Sequence, residues 1–264
     1  MAGGRRIFVD AITKYCARRG IACEVKSQGW LIVMRRGGMR RFALGYDLGL
    51  NSAISHRIAS DKAATSDILA MSGIPCIAHT QFSNPVLADY APAPCLREAM
   101  RALLRQHPQG IVVKPNEGTS GRLVFKATNE AELDEAAREI FASHLSLAIS
   151  PYVAVEQEVR VVLIDDTPLA VYAKERGSDW RHNLELGARP VLLPPGGERD
   201  ACVALAVAAA QAIGIRFASI DIVRVADAWQ VLEINSGVMM EALGRHHPEQ
   251  VAAAYTAALD KLFA

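Results

Sequence analysis

The stretch VVKPNEGTSGR at residues 112–122 combines a lysine, two glycines and two hydroxyl residues in a way that could bind phosphate. Glycines let the backbone approach a polyphosphate and hydroxyl groups donate hydrogen bonds, while Lys114, at the end of a β-branched run, could supply the cation. The two commonest phosphate-binding loops, G-x-x-x-x-G-K-[ST] and G-x-G-x-x-G, are absent from the chain. Taken alone, the stretch is more simply interpreted as a hairpin turn.

Two acid-bearing segments, SIDIV at residues 219–223 and VLEIN at 231–235, could form a metal site with Asp221 as one ligand. If the segments are paired strands, Glu233 and Asn235 share a face, because strand side chains alternate with a period of two. Two carboxylates and an amide oxygen form a hard oxygen site, which suits Mg²⁺ bound together with nucleotide phosphates. A surface strand pair with solvated acids is an equally good interpretation of this pattern alone.

Two further groups of cations could either bind ligands or lie in ordinary solvated loops. The stretch KERGSDWRHNL at residues 174–184 places cations and an amide in a loop after a strand. They could hold a terminal phosphate or an acyl phosphate, or they could be a solvated loop. Four arginines flank a Gly-Gly turn and could receive an acidic substrate, although a solvated hairpin is favoured. These arginines are Arg35, Arg36, Arg40 and Arg41.

The composition restricts the class of protein and its partners. With 51% hydrophobic and 22% charged residues, the chain is typical of a globular enzyme rather than a disordered protein. The formal net charge of +1 gives no overall field that would recruit nucleic acid or an anionic membrane. Five scattered cysteines without a C-x-x-C pair indicate reduced thiols, and the N-terminus lacks the apolar core of a signal peptide. We therefore expect a cytoplasmic protein with neither a nucleic-acid nor a membrane partner.

The elements that must position these residues alternate along the chain in an order that favours the α+β class. Helical patterns cover residues 5–19, 61–73, about 96–106, 129–144 and an alanine-rich stretch from 201. Strand patterns cover IACEVKS, GWLIVMRR, MRRFALGY, GIVVKP, RLVFKAT, YVAVEQEVRVVLID, TPLAVYAKER, SIDIVRVA and WQVLEIN. The glycine-rich stretch then joins two strands of one hairpin, and the two acid-bearing segments are consecutive strands.

The order of these motifs resembles that of the ATP-grasp superfamily of carboxylate ligases. A lysine heading a helix, a lysine before a glycine-rich hairpin, a hinge segment, an Arg-x-Asn loop and a final Asp…Glu-x-Asn follow one another here as in that family. The resemblance covers about Ser52 to Glu241 and looks closest to the ATP-grasp parts of cyanophycin synthetases and bifunctional glutathione synthetases. The stretch DWRHNL also resembles glutamate ligases that modify a ribosomal protein.

The resemblance implies an ATP-grasp fold, in which two α+β subdomains grip ATP. The residues that it implies for nucleotide binding are Lys62 and Lys114 at the phosphates, Glu117, Gly118, Thr119, Ser120 and Gly121 in a lid over them, Pro151, Tyr152 and Val153 at the adenine, and Glu158 at the ribose. The hinge departs from the family at Ser150-Pro151, where an acid or glutamine is common.

The resemblance also implies the chemistry. A carboxylate would be phosphorylated by ATP, and an amine would attack the acyl phosphate to form an amide, with release of ADP and phosphate. Magnesium, or manganese in its place, would bind Asp221, Glu233 and Asn235. The residues implied at the reacting groups are Lys174, Arg181, Asn183 and, as a substrate or oxyanion contact, Arg160. A small-molecule kinase on the same fold and a non-catalytic nucleotide-binding module are the alternatives.

The resemblance divides the chain into two parts. Residues 1–59 would form a reduced N-terminal substrate region, and residues 60–264 the ATP-grasp domain, with a lid subdomain at about 110–150 and a metal-binding core at about 155–245. The expected substrates are an amino acid or a small peptide. Because the N-terminal region is short, a partner subunit or a second copy of the chain could supply a substrate lobe.

Overall fold

The computed structural model describes residues 6–87, 93–118, 121–175 and 188–264. Helices and antiparallel strands alternate along these ranges and form three sheets, so the predicted α+β class is confirmed. Within the same ranges, no helix combines the length and the apolar character that crossing a bilayer requires.

The first sheet is a meander of three antiparallel strands that follows helix α1 (Ile7–Arg18). Its strands are β1 (Ala22–Lys26), β2 (Leu31–Arg36) and β3 (Met39–Leu44). The predicted Gly-Gly turn joins β2 to β3, and Gly37 has a φ of +58°, which glycine adopts without steric cost. One face of this sheet packs Ile32 and Met34 into a hydrophobic core shared with α1.

Two consecutive helices follow, and a side-chain cap sets where each begins. At α2 (Ala53–Ser60), the Ser52 hydroxyl accepts a backbone N–H of the first turn. At α3 (Lys62–Met71), the Asp61 carboxylate accepts another at 2.8 Å. Each cap satisfies one of the N–H groups that a first helical turn leaves unpaired. The sequence predicted α3 with Asp61 at its start, but it did not predict α2.

The second sheet has four strands. They are β4 (Thr80–Ser83), β5 (Ile111–Pro115), β6 (Phe125–Ala127) and β7 (Ser146–Pro151). Their order is β4-β7-β5-β6, and each neighbouring pair is antiparallel. Helices α4 (Ala93–Gln106) and α5 (Glu130–Phe141) supply the apolar residues that cover one face, into which Val113 and Ile149 project.

The third sheet has five strands. They are β8 (Gln157–Ile164), β9 (Thr167–Glu175), β10 (Arg189–Leu192), β11 (Phe217–Val225) and β12 (Ala228–Asn235). Their order is β10-β9-β8-β11-β12, again antiparallel throughout. The alanine-rich helix α6 (Gly197–Ile213) packs on one face together with residues of α2 and α3.

Two C-terminal helices, α7 (Glu241–His246) and α8 (Pro248–Leu262), pack with α1 against part of the other face of the five-stranded sheet. The Glu241 carboxylate accepts the backbone N–H groups of Ile7 at 2.9 Å and Phe8 at 3.3 Å. The first turn of α1 is therefore capped by a side chain 234 residues further along the chain. The predicted boundary at residue 59 stays a prediction.

The structure corrects the long strand predicted for YVAVEQEVRVVLID. Strand β7 ends at Pro151, residues 152–156 cross from the four-stranded to the five-stranded sheet, and β8 begins only at Gln157. Residues 152–155, YVAV, are as apolar and valine-rich as the strand that follows, so the sequence pattern alone could not locate the break. The short strands β7 and β10 were also missed; Pro190 is accommodated because β10 is an edge strand.

Candidate functional site

One face of the five-stranded sheet carries charged side chains from three neighbouring strands. In β8, Val159 enters the core under α6, so Glu158 and Arg160 project to the other face. Lys174 of β9 and Asp221 of β11 meet them there. We call Glu158, Arg160, Lys174 and Asp221 the charged cluster.

Asp221 lies at the centre of the charged cluster and is only 1% exposed. Arg160 binds its carboxylate at both oxygens, with Nε 2.7 Å from Oδ1 and Nη2 2.6 Å from Oδ2. Lys174 Nζ lies 2.9 Å from Oδ1 of the same carboxylate and also pairs with Glu158. Two cations thus face two anions, and this balance offsets the cost of burying charge.

Burial and neighbouring charges shift the pKa values of the two acids in opposite directions. Burial alone would raise the pKa of Asp221, but the Arg160 guanidinium and the Lys174 ammonium outweigh it and hold that pKa well below its usual range. At Glu158, burial outweighs the attraction of Lys174 and raises the pKa of the carboxyl. Asp221 is therefore the firmly ionised acid of the cluster. The predicted contact of Glu158 with a ribose stays a prediction.

The two polar residues predicted on β12 meet Asp221. Glu233 is the register partner of Asp221, and Asn235 lies two positions further along β12. Asn235 Nδ2 is 3.3 Å from Glu233 Oε1 and 3.5 Å from Asp221 Oδ2. The structure thus brings together the three residues that were predicted to bind Mg²⁺.

The donor atoms at this point fit Mg²⁺ in kind, because carboxylate and amide oxygens are its preferred protein ligands. A rotation of the Asn235 amide by 180° would turn its oxygen toward the two carboxylates. Within the described residues, however, no three or more His, Cys, Asp or Glu side chains are gathered as a ready metal site. Oδ1 of Asp221 accepts from both Arg160 and Lys174, whereas Oδ2 accepts from Arg160 and, at 3.5 Å, from Asn235. A carboxylate oxygen has two lone pairs, so Oδ2 is the atom that could bind a metal once the Asn235 amide turns.

The four-stranded sheet also presents a polar residue on its uncovered face. Val113 enters the core under α5, so Lys114 projects to the other side. Burial lowers the pKa of Lys114 to about 8, and Lys62 adds to this effect, whereas Glu233 and Glu158 of the five-stranded sheet oppose it. Among the described residues, Lys114 makes no hydrogen bond or ion pair. It is a buried cation that faces the acids of the other sheet.

The loop after β5 is tied to the first turn of α3. Asn116 is fully buried, and its Oδ1 accepts the backbone N–H of Ala63 at 3.1 Å. Lys62 Nζ donates to the carbonyl of Gly118 at 2.9 Å. Two lysines predicted to bind phosphate therefore lie on either side of this loop. The sequence did not single out Asn116, because asparagine is ordinary in a glycine-containing turn.

A sequence model of the RimK-like ATP-grasp domain matches residues 59–259. The chain belongs to this family. The matched range contains α3, the four-stranded and five-stranded sheets, and every polar residue of the site described above.

Proteins similar in sequence to this chain include ligases. A probable alpha-L-glutamate ligase of Legionella pneumophila (strain Corby) is 24% identical over 197 residues, which cover 74% of this chain and 61% of the relative. The tetrahydromethanopterin:alpha-L-glutamate ligase of Methanocaldococcus jannaschii is 25% identical over 132 residues, covering 47% of this chain and 44% of the relative. The aligned part of the chain thus spans about three fifths of the length of the Legionella relative.

Solved structures confirm the predicted ATP-grasp fold. The D-alanine–D-alanine ligase from Bacillus anthracis complexed with ATP matches with a TM-score of 0.60 at 17% identity, over 80% of this chain and 70% of that one. The bifunctional glutathione synthetase from Pasteurella multocida matches with a TM-score of 0.58 at 15% identity, over 98% of this chain and 44% of that one. The ligase PsnB complexed with minimal precursor, Mg and ADP matches with a TM-score of 0.58 at 19% identity, over 81% of this chain and 61% of that one. At these identities, the likeness concerns the fold alone.

Part of the predicted phosphate lid lies within the described residues. Glu117 forms an isolated bridge with Asp61 beside α3, and Gly121 has a φ of +66°, which favours glycine. A side chain at Gly118 would place its Cβ 3.2 Å from Pro115. The lid role stays a prediction. Four predicted site residues lie outside the described residues: Thr119, Ser120, Arg181 and Asn183.

The predicted adenine hinge begins where the chain crosses between the two larger sheets. The Tyr152 N–H donates to the carbonyl of Gly110 at 3.1 Å, and Lys126 Nζ lies 3.4 Å from the centroid of the Tyr152 ring. Pro151 has no N–H to offer. Of the three predicted hinge residues, Val153 is therefore the one whose N–H is best placed to meet a base, and this contact stays a prediction.

The arginines that flank the Gly-Gly turn of the first sheet make structural contacts. Arg41 Nε donates to the carbonyl of Leu262 at 3.0 Å, and Arg36 donates to that of Phe263. Arg35 pairs with an acid of β1. Cations at the C-terminal end of a helix are stabilising, because the last carbonyls lack helical partners. These contacts indicate that Arg36 and Arg41 hold α8 in place and do not form a site for an acidic substrate.

Proposed function

We propose that this protein is an ATP-dependent ligase that joins a carboxylate to an amine and releases ADP and phosphate. The observation that carries the proposal is the meeting of two polar sheet faces in a chain of the RimK-like ATP-grasp family, with Lys114 on one face and Asp221 and Glu233 on the other. A space with cations on one side and carboxylates on the other suits a magnesium-bound nucleotide, since phosphates need cations and the metal needs oxygen ligands.

In this proposal, the phosphates of ATP lie against Lys62 and Lys114. Asp221, Glu233 and Asn235 would hold Mg²⁺, or Mn²⁺ in its place, and the ion would supply positive charge that offsets the charge of the phosphates. Val153 meets the adenine. Residues 117–121 close over the phosphates and keep out water, which would otherwise hydrolyse an acyl phosphate.

The reaction needs positive charge because two anions must approach each other. The substrate carboxylate attacks the γ-phosphorus, the bond to ADP breaks, and an acyl phosphate forms. The amine then attacks the acyl carbon, loses a proton and displaces phosphate. Arg160, which is partly buried, and Lys174, which is buried, lie beside the proposed metal ligands and can stabilise the oxygens on which charge develops. The family resemblance adds Arg181 and Asn183 at the terminal phosphate.

The proposed substrates are an amino acid or a small peptide. The names of the relatives make L-glutamate the first amino acid to test, as either the carboxylate or the amine. A lobe that completes the substrate site could come from residues 1–59, from a second copy of the chain or from a partner subunit.

The acyl-phosphate route predicts the fate of an isotopic label. With ¹⁸O in the substrate carboxylate, one labelled oxygen should appear in the released phosphate, because amine attack breaks the carbon–oxygen bond of the acyl phosphate. The measurement is mass spectrometry of phosphate from ATP, Mg²⁺ and L-glutamate combined with a panel of amino acids and short peptides. AMP and pyrophosphate as products would contradict the mechanism, and a stable phosphorylated alcohol formed without any amine would indicate the kinase alternative.

Replacing Lys114 with alanine should weaken ATP binding or turnover about tenfold or more, because a charge contact to phosphate contributes roughly 1.5–3 kcal/mol. In the wild type, kcat/KM for ATP should fall as pH rises through about 8, since this is the pKa of Lys114 and only its protonated form attracts phosphate. Titration calorimetry and a pH–rate profile measure the two effects.

The matched control for this substitution is Lys261→Ala, which removes a half-exposed lysine of α8 that pairs with Asp165 on the surface. It should bind ATP as the wild type does. Unchanged ATP affinity in Lys114→Ala, together with a flat wild-type profile between pH 7 and 9, would show that Lys114 does not bind phosphate.

A further inference from the structure

His79 lies where the chain passes between the two sheets of the proposed site. The segment before it pairs with β12, since Ile77 N–H donates to Val231 O and Val231 N–H donates to Pro75 O, both at 2.9 Å. The residue after it, Thr80, opens β4 of the four-stranded sheet. His79 is therefore anchored to both walls of the cleft, and the function proposed above gives it no role.

The imidazole of His79 is buried with one nitrogen unpaired. The residue is 4% exposed, and Nε2 has no hydrogen-bond partner among the described residues. Two other hydrogen bonds hold the residue in place. The backbone N–H of His79 donates to Ser66 Oγ at 3.1 Å, and the ring hydrogen-bonds the carbonyl of Ile77. An unpaired buried polar atom is unfavourable, so Nε2 in this fixed segment is expected to gain a partner when the site is occupied.

The charges around His79 determine what that partner can be. Burial, and then the nearby ammonium groups of Lys114 and Lys62, lower the pKa of His79 well below its usual value, so the ring is neutral at pH 7. A neutral imidazole that donates its single proton to the Ile77 carbonyl carries a lone pair on Nε2 and can only accept there. The missing partner is therefore a hydrogen-bond donor.

Of the two nearby lysines, one already has acceptors. Lys62 Nζ donates to Gly118 O at 2.9 Å and lies 3.5 Å from Asn116 O. Lys114 has three donors and, among the described residues, no hydrogen-bond partner. Lys114 is in register with Gln81 across Ala148 of β7, and His79 lies two residues before Gln81, on the same uncovered face of the sheet. The unpaired acceptor of His79 and the unpaired donors of Lys114 are complementary.

We propose that His79 is a positioning residue for Lys114: when ATP binds, the ammonium donates one hydrogen to Nε2 and directs the other two at the phosphates. This inference rests on the proposed function, in which Lys114 is the phosphate cation. A fixed acceptor matters because a lysine ends in a freely rotating group on a flexible stem, and holding one N–H reduces the freedom that phosphate binding must remove.

Two substitutions separate this role from a purely structural one. His79→Leu keeps an apolar body of similar size but removes the acceptor, and it should weaken ATP binding about fivefold to tenfold in titration calorimetry. His79→Gln can place an amide oxygen near the position of Nε2, and it should recover most of the affinity. His79→Leu should unfold at the same temperature as the wild type or higher, because it also removes an unpaired buried nitrogen. A purely structural histidine would lose stability together with affinity.

A double-mutant cycle with Lys114→Met tests whether His79 acts through Lys114. In the Lys114→Met background, His79→Leu should have no further effect on ATP affinity. An equal loss in both backgrounds, or wild-type affinity in His79→Leu, would overturn this inference and leave the proposed function standing. If the wild-type protein binds no ATP, the proposed function fails, and this inference fails with it.

The tautomer of His79 gives a readout that needs no nucleotide. With ¹⁵N-labelled histidine, and with the His79→Gln variant to assign its signals among the seven histidines, the ring should be neutral with its proton on Nδ1. A proton on Nε2, or a charged ring at pH 7, would overturn the inference independently of ATP binding.

Discussion

Replacing Glu233 with glutamine should reduce ATP turnover about a hundredfold or more and leave the fold intact. Glu233 is only partly buried, and the hydrogen bond recorded for it comes from the Asn235 amide at 3.3 Å, which glutamine can also accept. What glutamine lacks is the negative charge for Mg²⁺, and a bound metal supplies several kcal/mol of charge stabilisation in the transition state. A hundredfold loss corresponds to about 2.7 kcal/mol.

The measurement is steady-state ADP release over a range of Mg²⁺ concentrations, with a thermal melt of each protein. Glu139→Gln, the same change at an exposed position on α5, is the matched control and should behave as the wild type. Full turnover of Glu233→Gln at every Mg²⁺ concentration would remove Glu233 from the metal site. A collapsed melting temperature would instead make it a structural residue.

Replacing Asp221 with alanine should have a different effect, a loss of about 3–5 kcal/mol in the free energy of unfolding. Asp221 is 1% exposed and is bonded to both Arg160 and Lys174, so its removal leaves a buried and a partly buried cation without their shared anion. Urea unfolding at pH 7 measures the loss. Asp165→Asn, which breaks a half-exposed pair with Arg216, is the control and should cost less than about 1 kcal/mol.

The stabilisation by Asp221 should also depend on pH. Because its pKa in the folded protein is held below the ordinary value, the folded carboxylate stays ionised at a pH where the unfolded chain has taken up a proton. The difference in unfolding free energy between the wild type and Asp221→Asn should therefore be complete above about pH 4 and shrink as pH falls below it. A difference that grows toward acid pH would contradict the ion-pair geometry.

The pairing of β11 with β12 could be predicted from the sequence, because the two strands are consecutive and joined by a two-residue turn. The period of two then places Glu233 and Asn235 on one face. The partners of Asp221 could not be predicted in this way. Arg160 is 61 residues away in the chain and meets Asp221 only through the register of β8 against β11. The cations that neutralise Asp221 reach it because of the order of strands in the sheet. Local sequence patterns do not contain that order.

The positions where the chain crosses from one sheet to another could not be predicted from the sequence either. Residues 152–155 are apolar and valine-rich like a strand, yet residues 152–156 leave the sheets because the chain must pass from β7 to β8. His79 lies at another crossing, and nothing in its neighbours along the chain indicates that Lys114 lies close to its ring. Arg36 and Arg41 look like a binding patch in the sequence, because the carbonyls that they hold lie more than 220 residues further along the chain.

The capping of α1 by Glu241 has a consequence for how the protein is made. When the first turn of α1 is synthesised, the carboxylate that completes it is still 234 residues from being synthesised. At 5–20 residues per second, the nascent helix waits roughly 12–47 s for that cap. During this interval, Phe8, Ile12 and Tyr15 lack the C-terminal helices that bury them, so the emerging chain exposes an apolar surface to which a chaperone could bind.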